Sequence, residues 1–243
     1  MNTPTTRQTI LEAYHETTSG VSSAFSTGLS KTLRQLKARL GSWIPPPEAS
    51  VLDLGCGHGE WLRLLWERGG RDLTGVNLSE GELAVARSLV PAHFVQQDVL
   101  TFLASADRQW DVITAFHFLE HLTKEDLLRC MQGIARALAP NGVLLVMTPN
   151  ALSPFCGITR HWDLTHEWAF TPPNFRQLAA LSGFRPAVEF RECGPIPHGL
   201  LSTVRWLLWQ WRRQTIRFWL LVETGSDKGG VYTMDMLVRL RKA

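Results

Sequence analysis

Apolar positions along the chain fall into two kinds of run that alternate. Short, nearly continuous ones at Val51–Leu54, Leu73–Asn77, His93–Gln97, Val112–Phe116 and Val143–Thr148 have the length of buried strands. Between them, Glu60–Arg68, Glu80–Leu89, a short piece near Leu100–Ala104 and Lys124–Leu138 carry helical spacing. That succession predicts a parallel sheet with helices on both faces. Upstream, Leu29, Leu33, Leu36, Leu40 and Trp43 mark one more helix, ended by Pro45-Pro46-Pro47. The Thr- and Ser-rich residues before it predict an arm or short helix, so that 1–47 precede a domain spanning 48–243. Pro140-Asn141-Gly142 predicts a turn between the last helix and strand of the series.

The final third changes character. Residues Pro149 to Pro173 are rich in proline and aromatics, lack a period and are long for a connector, which predicts a lid. Phe175–Ser182 reads as a helix closed by Gly183, and Val188–Glu192 and Tyr232–Leu240 as strands. From Leu200 to Val222, Val204, Leu207, Leu208, Trp211, Thr215, Phe218, Trp219 and Val222 recur on one helical face, with Gln210, Arg213 and Arg217 elsewhere. Four of the ten tryptophans fall here, together with Arg205, Arg212, Arg213 and Arg217. Trp with Arg is the composition of helices that lie in a membrane interface. A core-packed helix and a homodimer face are the alternatives.

Candidate chemistry begins at the end of the first strand. In Val51-Leu52-Asp53-Leu54-Gly55-Cys56-Gly57-His58-Gly59-Glu60, alternate glycines let the backbone turn sharply and approach a ligand, and the following helix aims its free N–H groups at the same place. A dinucleotide site has GxGxxG, but here the spacing is GxGxG with Glu60 next. Asp53 would repel a pyrophosphate and suits a cationic group such as the amine or sulfonium of S-adenosylmethionine. This stretch resembles the first motif of class I S-adenosylmethionine-dependent methyltransferases, hhDhGCGxG with h apolar. The resemblance implies a Rossmann-like α/β sheet of seven strands in the order 3-2-1-4-5-7-6, its last strand antiparallel. It also implies S-adenosylmethionine as cofactor, at Asp53, Gly55, Cys56, Gly57 and Gly59.

Strand ends supply the rest of that cradle, because open α/β sheets bind ligands at the carboxyl edge. Asn77, with Leu78 beside it, stands where the resembled family has an acid accepting both ribose hydroxyls, and an amide lacks the charge that strengthens such bonds. The departure keeps a non-catalytic scaffold in view. Asp98 and Val99 match the adenine-binding position, with a helix N-cap as the other reading of Asp98. The resemblance also implies that Phe116 and His117, at the end of the fourth strand, lie against the methionine part of the cofactor, with plain core packing as the other reading of Phe116.

His117, Glu120 and His121 share one face if a helical turn starts at the end of that strand. The string HxxEH is also that of inverted zinc peptidases, whose motif sits well inside a helix rather than at a strand end. It is closer to the ExxEH motif of metal-dependent O-methyltransferases acting on ubiquinone precursors and small RNA, with His117 as the departure. That resemblance implies a divalent metal held by His117, Glu120, His121 and a later histidine, His166. Without metal, His121 or His166 is the candidate base, so the catalytic candidates are Glu120, His121 and His166.

Residues Thr148 to Phe184 resemble a loop with a D-P-T-H core in methyltransferases of bacterial surface-polysaccharide clusters. Asp163, Thr165, His166 and Pro172 match it, and Leu164 replaces the first proline. The resemblance implies a sugar hydroxyl of a surface glycan or its precursor as acceptor, lipid-linked in one version. Arg160, His161, Trp162, Asp163 and Trp168 are the substrate candidates. A quinone, catechol or natural product is the alternative acceptor.

Composition narrows the setting. The formal net charge of +3 resides in the arginines of 200–222, which is not the broad basic face of a nucleic-acid binder, so no nucleic-acid partner is expected. The four cysteines show no CxxC spacing, against a disulfide framework or a cysteine zinc site. No secretory or membrane-spanning segment is read, so a cytoplasmic location is expected, with membrane contact through the basic helix.

Overall fold

The central strands form where apolar runs are buried on both faces under the connecting helices, while the two edge strands, His93–Gln96 and Glu189–Glu192, are only partly buried. The computed structural model describes residues 25–161 and 163–243. The arm expected over the first residues and the substrate candidate Trp162 therefore lie outside the described residues. In chain order the elements are α1 (Phe25–Leu40), a 3-10 turn (Gly41–Trp43), β1 (Val51–Leu54), α2 (Glu60–Glu67), β2 (Leu73–Asn77) and α3 (Glu80–Leu89). Then come β3 (His93–Gln96), α4 (Val99–Ser105), β4 (Trp110–Phe116), a 3-10 turn (Leu119–His121), α5 (Lys124–Ala137) and β5 (Leu138–Pro149). The last third holds α6 (Cys156–His161), α7 (Pro172–Leu181), β6 (Glu189–Glu192), α8 (Leu200–Thr224) and β7 (Asp235–Arg241).

The seven strands form one sheet in the order β3-β2-β1-β4-β5-β7-β6, as the family resemblance implies. β1 pairs parallel with β2 and β4, β4 parallel with β5, and β7 runs antiparallel to both β5 and β6. β1 is buried at every position, as befits a central parallel strand. One face packs against α4, α5 and α7 through Leu103, Ile134 and Phe175. The other packs against α1, α2 and α3 through Leu40, Leu65 and Leu83. Four of the helices start on a polar cap: Ser79 for α3, Asp98 for α4, Thr123 for α5 and Thr171 for α7, whereas α2 starts on Gly59 of the glycine turn.

Two expectations need correction. Pro140-Asn141-Gly142 does not separate helix from strand, because β5 already starts at Leu138, opposite Trp110, before Val143 pairs with Val112. The extra residues bulge out, with Asn141 in the left-handed region at φ 62. The second is the core-packed alternative for α8. Its apolar stripe is not packed on the core: Leu207, Leu208, Trp211, Phe218, Trp219 and Val222 are 54 to 70 % exposed. Two of its arginines, Arg213 and Arg217, are what face the body. Arg213 donates to Glu192 Oε1 (3.1 Å) and Gly230 O (3.0 Å), and Arg217 pairs with Asp227 (3.3 Å). Polar contacts thus fasten the helix while its greasy side is turned outward. No helix among the described residues is long and apolar enough to cross a membrane.

Candidate active site

Carboxyl strand ends converge on one cavity of roughly 260 Å³, walled by the glycine turn, the β2–α3 and β3–α4 junctions and the segment after β4. The turn is built by left-handed backbone at Gly55 (φ 68), Gly57 (φ 51) and Gly59 (φ 80). A Cβ on Gly55 would stand 2.8 Å from the Phe118 ring, which closes over the turn. At Gly57 the same test meets nothing within 4 Å, so that side of the backbone is bare toward the cavity. A larger depression at the amino edge of the sheet, around His93 and Trp110, is spanned by the Arg108–Asp72 ion pair and lies away from the carboxyl ends where such sheets bind ligands.

Of the residues assigned to the cofactor, Gly55, Gly57, Asn77, Leu78, Asp98, Val99 and His117 line this cavity. Asp53, Cys56, Gly59 and Phe116 stand behind its wall. Asp53 is buried beneath the turn and accepts a hydrogen bond from Thr114 Oγ1 (2.6 Å). Burial pushes its pKa up, the Thr114 bond opposes this, Glu60 adds repulsion, and the result is about 7. Cys56 lies under the same turn, where burial raises its thiol pKa and keeps it protonated. Phe116 packs against Trp61 at a ring separation of 5.4 Å. Asp98 fulfils both of its readings: Oδ1 caps α4 by accepting from Thr101 N (3.0 Å), and the residue lines the cavity.

Glu82 completes the β2 end and was not foreseen. Its carboxylate accepts from the Asn77 amide at 2.6 Å and reaches the cavity wall, restoring a negative charge one turn beyond the amide. The Ser79-x-x-Glu82 spacing of a capping box was the available signal, since a glutamate at that position reaches back over the helix start. Here it reaches Asn77.

Beyond β4 the chain strains. His117 has φ 51, uncommon for a residue with a Cβ, and it is held by its N–H to Met147 O (2.8 Å). Its Nδ1 lies 3.2 Å from Glu120 Oε1, while Thr148 Oγ1 donates to Glu120 Oε2 (3.1 Å). Burial alone would lower the His117 pKa, but the Glu120 bond and charge, helped by Asp235, outweigh it and raise the value. Glu120 is the mirror case: burial would raise its pKa, and His117 and His121 bring it below the usual range. Burial, with His166 adding repulsion, lowers the pKa of His121.

Glu120, His121 and His166 offer ligand atoms that all lie within 4.8 Å of one another, and His117 is not part of this group. Both imidazoles are oriented by the lid. Thr165 Oγ1 donates to Asp163 Oδ1 (2.7 Å) and so accepts from His121 Nδ1 (2.6 Å), and His166 Nδ1 donates to Thr159 O (2.8 Å). The lone pair of each ring is therefore at Nε2. That arrangement, with an outer partner fixing the tautomer, is the one metal-binding histidines use. The lid is sewn to the site through Glu167 N on Glu120 O (2.8 Å) and Arg160 on His166 O.

Three of the residues expected to meet substrate, Arg160, Asp163 and Trp168, also make structural contacts. Asp163 is buried and orients Thr165, Arg160 holds the His166 carbonyl, and Trp168 donates to Leu122 O (2.8 Å) while stacking on Phe170. His161 ends α6 exposed.

With this geometry in place, comparison with known proteins is direct. A family model described as a methyltransferase domain matches residues 25–189. Trans-aconitate 2-methyltransferase of Rhodopseudomonas palustris is 31% identical over 175 residues, covering 71% of this chain and 61% of that protein. Ubiquinone biosynthesis O-methyltransferase of Idiomarina loihiensis is 35% identical over 105 residues, covering 41% of this chain and 42% of that one. The chain spans about half the length of the curated relatives it matches. Among solved structures, a SAM-dependent methyltransferase from Archaeoglobus fulgidus superposes with a TM-score of 0.65 at 22% identity, covering 91% of this chain and 100% of that one, a likeness of fold.

Proposed function

Since the chain belongs to the methyltransferase-domain family, we propose that it is an S-adenosylmethionine-dependent O-methyltransferase whose acceptor hydroxyl is a sugar hydroxyl of a surface glycan or its precursor. The carrying observation is the meeting of Glu120, His121 and His166 beside the glycine-turn cavity. The cofactor supplies an electrophilic methyl group when bound, and the remaining work falls to this chain's own side chains.

Gly57 admits the cofactor to the backbone while Gly55 turns the chain beneath Phe118, Glu82 with Asn77 takes the ribose hydroxyls, and Asp98 with Val99 holds the adenine. Asp53 sets a carboxylate behind the turn, where a positive centre favours its ionised form. On the acceptor side Nε2 of His121, an imidazole kept neutral by burial, takes the hydroxyl proton while Glu120 and His166 orient the oxygen. The same three residues have the donor set of a divalent-metal site, an ionised carboxylate and two imidazoles with fixed tautomers. A metal held there would polarise the acceptor hydroxyl. Strand-end position, burial and orienting partners fit either case.

A quinone or catechol acceptor is the second reading, favoured by the Idiomarina loihiensis relative named for ubiquinone biosynthesis. Incubating the protein with methyl-labelled S-adenosylmethionine and glycosyl phosphates or catechols separates them by which product carries the label. Label on nitrogen or carbon, or none, overturns oxygen transfer.

For location, we propose peripheral contact of α8 with an anionic membrane surface from the cytoplasmic side. The support is its exposed Trp and Leu stripe flanked by Arg205 and Arg212.

A further inference from the structure

A second cavity, of about 550 Å³, opens at the same carboxyl edge, between α1, the residues after β6 and the start of α8. Lys31, Arg34, Arg39 and Arg205 line it, with Asp235 as its one acid among the described residues. None of these four cations forms a salt bridge among the described residues, and the buried Nε of Arg39 has no hydrogen-bond partner there. Unpaired cations gathered in a concavity focus a positive potential, and a buried N–H left without an acceptor is costly unless a ligand supplies one.

This cavity borders the site already described. Asp235, on its wall, pairs with Pro149 at the end of β5, two residues beyond Met147, whose carbonyl accepts from the N–H of His117, and His117 lines the glycine-turn cavity. Phe155, from the lid, lies on its wall as well. A molecule seated among the cations therefore stands next to the transfer chemistry.

We propose that the acceptor carries an anionic group of the phosphate class and that Lys31, Arg34, Arg39 and Arg205 hold it in this cavity while its hydroxyl lies toward His121. The statement rests on the methyltransferase reading and adds to it the charge class of the acceptor. The three guanidinium groups present planar forks that match phosphate oxygens, Arg39 being the least exposed of the four cations, and Lys31 adds a point charge. A neutral acceptor would leave Arg39 Nε unsatisfied. The anion is either free in solution or the headgroup of a lipid lying along the exposed face of α8.

Calorimetry with inorganic pyrophosphate on the full chain tests anion binding without any turnover. A parallel titration with S-adenosylmethionine tells failure of this inference from failure of the methyltransferase reading. Pyrophosphate is expected to bind, and Arg39→Gln and Lys31→Gln each to weaken it by about tenfold or more, since charge-assisted hydrogen bonds contribute about 1.5–3 kcal/mol. Lys31→Gln alters a solvent-exposed side chain and keeps the test open if Arg39→Gln fails to fold. Sedimentation with phosphatidate-containing and purely phosphatidylcholine vesicles separates the sources. Pyrophosphate binding alone indicates a soluble acceptor, and binding to phosphatidate vesicles that both variants weaken indicates a lipid headgroup. Absence of both, or binding that neither variant changes, overturns the proposal.

Discussion

Asn77 donates its side-chain amide to the Glu82 carboxylate across 2.6 Å, so the charge missing from the end of β2 is delivered from the first turn of α3. The pair acts as one acceptor unit. Glu82→Gln is expected to weaken S-adenosylmethionine binding about tenfold or more, because a hydrogen bond to a charged group contributes about 1.5–3 kcal/mol. Calorimetric titration measures this directly, and an unchanged dissociation constant would put the ribose elsewhere.

The Asp163–Thr165–His121 chain predicts a graded series. His121→Ala and His166→Ala each abolish turnover while cofactor binding survives. Thr165→Val leaves the imidazole present but removes the acceptor of its Nδ1–H. Losing such an outer partner typically lowers metal affinity or activity about 10–100-fold. Steady-state rates and metal content of the three purified variants provide the comparison, and full activity in both histidine variants would remove them from the mechanism.

Asp53 predicts a pH dependence whose sign follows from its raised pKa of about 7. An unfolded aspartate titrates near ~3.9, so between these values the folded protein keeps a proton that the unfolded chain has lost. The stabilisation this gives is complete below about pH 4 and disappears as pH rises through about 7. Asp53→Asn cannot ionise, so its melting temperature should gain on that of the wild type between about pH 5 and about pH 8. A cationic ligand favours the ionised form, so wild-type affinity for S-adenosylmethionine should rise over the same range. Parallel melting curves for the two proteins at both pH values would contradict the assignment.

The outward stripe of α8 predicts lipid binding that does not depend on fold stability. Replacing Trp211 and Trp219 together by Gln, both mostly exposed, should change stability by no more than about 0.5 kcal/mol per site. Sedimentation with anionic vesicles should fall by about tenfold. A wild-type dimer that the double variant dissociates, with vesicle binding unaltered, would assign the face to a second copy instead.

The centre of the sheet was legible because β1, β2 and β4 are largely buried and stand out as apolar runs, with Gly55, Asn77 and Asp98 at or just past the carboxyl ends of β1, β2 and β3. Glycine turn, Asn77, Asp98 and His117 could be located from those ends alone. Asn141 was misread because a left-handed Pro-Asn-Gly step looks the same whether it breaks a strand or bulges within one. On α8, periodicity identified a face but not its direction. Glu192, Asp227 and the Gly230 carbonyl decide that direction, and they meet the helix only in the folded chain. Glu82 was concealed by its helical position, although its capping-box spacing was present. Lys31, Arg34, Arg39 and Arg205 lie too far apart along the chain for any local pattern to unite them.

Gly57 offers the most direct test of the central claim that the glycine turn cradles S-adenosylmethionine. Its added Cβ meets no protein atom within 4 Å, so Gly57→Ala costs the fold only the strain of left-handed backbone, about 1–2 kcal/mol, while placing a methyl group in the cofactor's path. Titration of S-adenosylmethionine into both proteins, with and without divalent metal, should give saturable one-to-one binding for the wild type and none for a folded Gly57→Ala protein. No binding by the wild type under either condition, or equal binding by both proteins, would contradict the account.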